Sequence, residues 1–229
     1  MLSLNSVNWD PLLLTLKLAI LTTVLLLLVA IPLGYWLAYS KTKLKPILTV
    51  LISMPLVLPP TVLGFYFLIA FSPNNAFGAW LDSVLGLRLV FSFGGLVIAS
   101  MLYGLPFMIH PVLAGFKSLP PQYKEASKLM GRSRLDTLRQ VLLPNMKPAL
   151  MSGLVLTFAH TLGEFGVVLM IGGAIPEKTR VASIAIYEEV EKLNFGQAHL
   201  YSLVLFLISF VILFWVYTRG AKNWGGFGK

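Results

Sequence analysis

The sequence predicts an all-α integral membrane protein with about five transmembrane helices in a single domain covering residues 1–229. Three observations predict it. First, 57% of the 229 residues are hydrophobic and only 12% are charged, about half the roughly 25% charged residues of an ordinary soluble domain, and mean hydropathy is +0.81. Second, the apolar residues gather in runs long enough to cross a bilayer core about 30 Å thick, which takes roughly 20 residues per helix. Third, the net charge of +9 sits in the segments between those runs, on alternate sides. This composition excludes a soluble enzyme and a disordered chain. With no Cys, disulfide frameworks, thiolate metal sites and cysteine nucleophiles are excluded as well.

The spans follow in order. Residues 12–39 form the first, with Lys17 as its one charge near the outer end. Its apolar region exceeds the roughly 7–15 residues of a signal peptide and no basic segment precedes it, so it reads as a retained helix. The second covers residues 47–71 and contains Pro55, Pro59 and Pro60 followed by Thr61. These prolines break the helical hydrogen-bond ladder. Two readings stay open: a bending helix that lines a pathway, or a structural kink packed against neighbours. The third span covers 89–116. The fourth covers 149–175 as one helix and holds His160 and Glu164, the one acidic residue deep in a span. The fifth covers 200–217, and the Gly-rich residues 224–229 read as a flexible end. None of the runs alternates with period two, so helices rather than barrel strands are expected.

Orientation comes from Lys and Arg. Lys41, Lys43 and Lys45 lie between the first two spans. Lys117, Lys124, Lys128, Arg132, Arg134, Arg139 and Lys147 lie between the third and fourth, and Arg219, Lys222 and Lys229 follow the fifth. The opposite segments hold only Arg88 in one case and Lys178, Arg180 and Lys192 in the other. The positive-inside rule therefore places the N-terminus outside and the C-terminus in the cytoplasm. Basic residues distributed in this way do not make a nucleic-acid face; the lipid bilayer is the partner they fit. Trp9, Trp36, Trp80, Trp215 and Trp224 all fall at or near span ends, where amphipathic rings prefer the headgroup level.

Glu164 is a functional-site candidate because ionisable groups inside membranes are costly. The favoured role is a hydrogen-bonded or ion-paired residue that holds neighbouring helices together, with a direct role in a pathway as the alternative. Gly163 and Gly166 beside it allow close helix approach. Pro59, Pro60, Thr61, Gly163, Glu164 and Gly166 are thus the candidates for a pathway or gate. His110, His160 and His199 have no metal-ligand spacing. Glu177, Glu188, Glu189 and Glu191 in the outer loop 176–199 fit either a docking surface for a soluble partner or an ordinary solvated loop.

The cytoplasmic loop 117–147 carries the most local information. Pro120 and Pro121 suit a helix start, and Gly131 suits the position just past a helix end. Ser133 suits the cap of a second helix that Pro144 stops. Leu135, Leu138, Val141 and Leu142 give that second helix an apolar stripe. The small pair Ala126-Ser127 on a short helix suits docking into a partner's groove.

The run Glu125-Ala126-Ser127, three residues, Gly131, nine residues and Val141-Leu142-Leu143-Pro144 resembles the Glu-Ala-Ala loop of ATP-binding-cassette importer permeases. Ser127 stands for the second Ala and Val141 for the usual Ile. The resemblance implies a type I importer permease fold. It also implies that the loop is a coupling helix inserted into a cleft of an ATPase subunit, with Glu125, Ala126, Ser127, Gly131 and Pro144 in the coupling element. Met54-Pro-Leu-Val-Leu-Pro-Pro-Thr61-Val-Leu-Gly64, Phe158-Ala-His-Thr-Leu-Gly-Glu164-Phe-Gly166 and Ile171-Gly-Gly-Ala-Ile-Pro176 together are similar to permeases of molybdate importers. Sulfate permeases share the paired prolines but more often have Tyr where Phe165 stands, and tungstate is a third candidate anion. The resemblance implies a second copy of the chain as partner, two cytoplasmic ATPase subunits, an extracytoplasmic oxyanion-binding protein, and a bacterial plasma-membrane location. No phosphate-binding loop is present, so no cofactor is expected in this chain, and ATP and Mg would be bound by the ATPase.

A membrane enzyme is disfavoured because polar residues do not cluster near one face. An oligomeric secondary transporter is disfavoured because the chain has no internal repeat. For topology, a reporter fused after Lys229 is expected to read cytoplasmic and one inserted near Asp82 external; the opposite reading at either site overturns the five-span arrangement.

Overall fold

The computed structural model describes residues 8–224, with side chains described as far as residue 214 and at Thr218. Residues 225–229 of the Gly-rich tail lie outside the described residues, as do the side chains of Trp215, Arg219, Lys222 and Trp224. Among the described residues all regular structure is helical. Three helices are long and apolar enough to cross a membrane alone, and five spans result if two bent helix pairs each count as one.

Helix α1 (Asp10–Tyr39) has 30 residues, about 45 Å at about 1.5 Å per residue, so it exceeds the hydrocarbon core. Pro11 opens it, where a missing N–H costs nothing. Next come α2 (Lys45–Ser53), a 3₁₀ turn (Met54–Leu56) and α3 (Pro60–Phe71). The two halves meet at 112°. The cause is local: Pro59 precedes Pro60 and is driven to an extended conformation, φ −55° and ψ 137°. A short helix, α4 (Ala76–Leu85), follows in the connecting segment and ends at Gly86, φ +63°. It is too short for a span, and the sequence reading contains no helix there.

Helix α5 (Phe93–Ser118) starts at Ser92, whose Oγ accepts from the Gly95 N–H at 3.0 Å. It is the centre of the molecule. A Cβ at Gly104 would stand 3.2 Å from Leu26 Cδ1, and one at Gly34 would stand 2.8 Å from Val112 Cγ1, so α1 and α5 run parallel in register. Tyr39 Oη closes their far ends by donating to the Phe116 carbonyl at 3.1 Å.

After α5 the chain forms α6 (Gln122–Leu129). A continuous helical run then comprises α7 (Arg134–Asp136), a π-helical segment (Thr137–Leu142) and α8 (Leu143–Asn145). This run meets α9 (Lys147–Leu162) at 77°. Helix α9 packs antiparallel on α5: a Cβ at Gly153 would stand 2.9 Å from Met108 Sδ, and one at Gly115 would stand 2.6 Å from Ala149 Cβ. Glycines at these crossings let the backbones approach closely.

The expectation of one continuous helix over residues 149–175 is corrected. Helix α9 has 16 residues, about 24 Å, and stops at Gly163. Helix α10 (Gly166–Gly172) resumes after the break and lies beside α3. Two further helices complete the fold, α11 (Ala182–Glu191) and α12 (Phe195–Trp224). They are tied to the start of α1: Thr15 Oγ1 accepts from the Ala182 N–H at 2.8 Å, and Tyr201 Oη donates to the Asn8 carbonyl at 3.0 Å.

The glycine crossings make a direct test. Gly115→Val forces branched carbons into Ala149 and Met146 and is expected to cost about 1–3 kcal/mol as overpacking. Gly94→Ala, whose Cβ would meet only Ser92 Oγ at 3.9 Å, is expected to stay within about 0.5 kcal/mol of the parent. Thermal unfolding of the purified protein in detergent compares the two, and equal midpoints would refute the packing argument.

Candidate functional site

Two places combine candidate residues. The first is the loop helix α6. It starts after Pro121 and ends in a Schellman turn, with Gly131 N–H donating to the Lys128 carbonyl and Arg132 N–H to the Ser127 carbonyl, both at 3.0 Å. Gly131 sits at φ +69°, the left-handed conformation expected for it. Its surroundings leave room for a Cβ, so backbone conformation rather than space demands glycine.

The small pair Ala126-Ser127 does not act as one exposed patch. Ser127 is 4% exposed, its Oγ donates to the Tyr123 carbonyl at 2.8 Å, and α6 packs against the π-helical segment. The outward surface is instead Ala126 with Leu129, 89% exposed, and Met130. Glu125 is exposed beside them.

Ser133 caps the following helix as expected: its Oγ accepts from the Asp136 N–H at 3.1 Å. Of the predicted apolar stripe, Leu142 is fully buried and Leu138 partly so, while Leu135 is exposed. Pro144 lies in the last turn of this helix, which ends one residue later at Asn145, whose Nδ2 donates to the Val141 carbonyl at 2.6 Å. Pro144 gives no N–H to the carbonyl four residues back, and the turns before it are π-helical.

The second place is the meeting of the two broken segments. A Cβ at Gly166 would stand 2.8 Å from Pro60 Cβ and 3.2 Å from the Thr61 backbone nitrogen. The start of α10 therefore rests directly on the start of α3. Gly64 repeats the contact one turn on, against Met170 and Val167. Gly163 does not share this role, contrary to expectation: a Cβ there would meet only the His160 and Ala159 carbonyls of its own turn, at 3.9 and 4.0 Å. Pro59, Pro60 and Thr61 are exposed, as is the apolar surface around them, including Val57 at 84%.

Glu164 lies in the break and is 4% exposed. Its backbone carbonyl accepts from Ser183 Oγ at 2.7 Å. Neither carboxyl oxygen meets strict hydrogen-bond geometry with a described residue, but the Ser100 side chain of α5 lies close enough to act as its hydrogen-bonding neighbour. Among the described residues no ion pair involves Glu164, so of the two expected pairings the ionic one is absent there and Ser100 is the candidate for the other. The hydroxyls of Thr22, Thr23, Ser100 and Thr157 and the Nε2 of His160 are likewise buried with no partner at that geometry among the described residues. The His160 ring stacks on Phe107, with centroids 4.0 Å apart. His110 links α5 to α2, its Nε2 3.0 Å from Ser53 Oγ.

The acidic residues of loop 176–199 are largely engaged within the chain. Arg180 pairs with Glu188 at 2.5 Å and with Glu189 at 3.5 Å, and Lys192 pairs with Glu189 at 3.1 Å. Burial pushes the Glu189 carboxyl up, but the Lys192 and Asn194 hydrogen bonds and the Lys192 and Arg180 charges hold it below its ordinary value. Sequence spacing alone did not reveal this pairing, which needs the turn that brings Arg180 back over α11.

Comparison with known proteins settles the family. Residues 30–220 match the model of the binding-protein-dependent transport system inner membrane component. The chain belongs to this family of permeases. Among its relatives, the molybdenum transport system permease protein ModB of Azotobacter vinelandii is 45% identical over 206 residues, covering 90% of this chain and 91% of that one. The sulfate transport system permease protein CysT of Salmonella typhimurium is 31% identical over 178 residues, covering 78% of this chain and 64% of that one. Two solved structures share the permease fold at 17% identity. A chain of the methionine ABC transporter MetNI superposes with TM-score 0.68 over 89% of this chain and 90% of that one. A chain of a bacterial ABC transporter involved in alginate import superposes with TM-score 0.77 over 93% and 78%.

The buried carboxyl group of this permease has a measurable consequence. Glu164→Gln keeps the shape of the side chain and disturbs no ion pair among the described residues, so it is expected to unfold at about the same temperature as the parent. A midpoint lowered by more than about 2–4 °C, roughly 1 kcal/mol for a chain of this size, would show that another chain supplies the carboxylate with a partner.

Proposed function

We propose that this chain is the permease subunit of an ATP-driven importer of a tetrahedral oxyanion, molybdate. Two copies would form the pathway between them, with two ATPase subunits on the cytoplasmic side and an oxyanion-binding protein outside. The N-terminus is outside and the C-terminus cytoplasmic. The carrying observation is the 45% identity to a molybdenum permease across 90% of the chain. The electrostatics agree. The junction surface formed by Pro59, Pro60 and Thr61 offers no carboxylate to repel an anion, and Glu164 is withheld from the surface. The 31% identity to a sulfate permease over 78% of the chain supports sulfate as the second reading.

In this reading ATP and Mg belong to the partner ATPase, and its closure moves α6. Ala126, Leu129 and Met130 would meet the ATPase, with Glu125 at the edge of that surface. Ser127 anchors α6 to its own chain, and Gly131 sets the turn that joins it to the next helix. Motion then passes along the run Arg134–Asn145, with Pro144 in its last turn, and through the bend into α9. Helix α9 ends at the break that carries Glu164, where Gly166 rests on Pro60. A displacement of the loop helix therefore has a continuous packed route to the two broken segments.

The test is uptake of labelled molybdate, tungstate and sulfate by the complex reconstituted with its ATPase and binding protein. ATP-dependent molybdate uptake is expected to exceed sulfate uptake; sulfate as the preferred anion overturns the assignment. In the same assay Ala126→Asp buries a charge at the ATPase interface. Removing a central contact of an interface costs about 2 kcal/mol or more, so recovery of the ATPase chain is expected to fall by roughly thirtyfold at normal membrane levels of permease. Wild-type transport by both Ala126→Asp and Gly131→Val, with the ATPase still bound, would remove α6 from the coupling route.

A further inference from the structure

Between the end of α1 and the loop helix lies a pocket of about 590 Å³, within the roughly 300–1,000 Å³ of sites that hold small ligands. Its two walls differ in chemistry. The α1 wall is aromatic: Tyr35, Trp36 and Tyr39, followed by Ser40. The opposite wall is cationic: Lys124 and Lys128 from α6, then Arg132 and Arg134. Glu125 is the one carboxylate in the lining.

The cations are not neutralised. Among the described residues no ion pair involves Lys124, Lys128, Arg132 or Arg134; the Arg132 guanidinium donates to the neutral Gln140 side chain. Lys124 is held over the tyrosines instead, its Nζ 3.4 Å from the Tyr39 ring centroid and 5.3 Å from that of Tyr35. Partial burial and the neighbouring Arg134 hold the Lys124 ammonium below its ordinary pKa. A crowded set of positive charges facing one open volume is the electrostatic complement of an anion.

We propose that this pocket binds the phosphate of an anionic phospholipid headgroup from the cytoplasmic leaflet. Basic pockets beside transmembrane helices on the cytoplasmic side take anionic headgroups. The aromatic wall supplies the second argument. Trp36 is half exposed and stands near the end of a membrane-spanning helix, at the level where such rings meet headgroups. A free phosphate would use the cations alone, whereas a lipid uses both walls. The surface assigned above to the ATPase is a different side of α6. With about 100° between successive residues, Lys124 and Lys128 lie together on one side, and Ala126, Leu129 and Met130 on another. The proposal rests on the cytoplasmic placement of loop 117–147 but not on which anion is carried.

The test uses the intact permease–ATPase complex in bilayers of phosphatidylcholine with increasing phosphatidylglycerol. Brominated phosphatidylglycerol is expected to quench Trp36, read as the difference from Trp36→Phe, at mole fractions where brominated phosphatidylcholine does not. Each basic residue near a membrane surface contributes roughly fivefold in anionic-lipid binding. Lys124→Gln with Lys128→Gln is therefore expected to shift the half-quenching fraction by about 25-fold. Unchanged quenching in the double variant overturns the proposal. Loss of the ATPase chain with phosphatidylglycerol quenching retained overturns it in favour of a protein-docking cluster. Displacement of the lipid by inorganic phosphate, but not by chloride at equal ionic strength, overturns the lipid as occupant. A topology reporter that reads external at Lys229 would refute the orientation while leaving the quenching result intact, so the two readings fail separately.

Discussion

In hydrocarbon no water satisfies the backbone groups freed by a broken helix, so each break must find its partners in protein. This chain breaks two of its apolar segments, and near each break freed backbone N–H groups turn back onto carbonyls of the chain's own turns. At the first break the missing donors are prolines, which have no N–H to leave unpaired. The neighbouring Val57 and Leu58 N–H groups turn back to the Met54 carbonyl, and that of Val62 to Pro59. At the second, the Gly163 and Glu164 N–H groups turn back to His160 and Thr161, and the Phe165 carbonyl takes the Leu169 N–H. The breaks are then pressed together, Gly166 on Pro60, with no side chain between them.

Buried polar atoms gather in neighbouring layers of the helix bundle close to the second break. Thr15 and Thr161 satisfy their hydroxyls on carbonyls four residues back, the usual escape for a threonine in a helix. Thr22, Thr23, Ser100 and Thr157 do not, and Glu164 lies in the same neighbourhood. The register of the helices explains the grouping. Leu26 meets Gly104, and Thr157 lies 3.8 Å from the Cβ position of that same glycine, so Thr157 is level with them, and Thr22, Ser100 and Thr161 share the next layer. The core above and below these layers is apolar, with Leu18, Leu96 and Ile171 on one side and Leu37, Val112 and Phe116 on the other.

Much of this was legible in the sequence, because the physics that decides it is local or periodic. Hydrophobic runs marked the long helices, Pro120-Pro121 and Gly131 bracketed α6, and Pro59-Pro60 marked the sharp bend. The spacing from Glu125 to Pro144 carried the family. Other features depended on tertiary position. The break at Gly163–Phe165 is embedded in an apolar run, and Gly-Glu-Phe-Gly reads equally well as close helix packing. Which of Ala126 and Ser127 faces outward depends on the segment that α6 leans against. The pairing of Glu188 and Glu189 with Arg180 depends on a turn several residues away, so charge counting left that loop open to two readings.

The end of the molecule where α10 meets α11 has a mechanical character that follows from two small hydroxyl groups. Thr179 Oγ1 donates to the Gly172 carbonyl at 2.6 Å and accepts from the Ile175 N–H at 3.1 Å, fastening the loop to the end of α10. Thr15 holds the first residue of α11 against α1. Only Arg180 and Val181 lie between the two attachments, and Arg180 is itself paired to α11. Helix α10 is thus a rod of seven residues tied through this loop to α1 at its Gly172 end and pressed onto Pro60 at its Gly166 end. Held at both ends, it is a strut: a displacement at the junction of the two breaks is carried to α1 rather than absorbed by a slack loop.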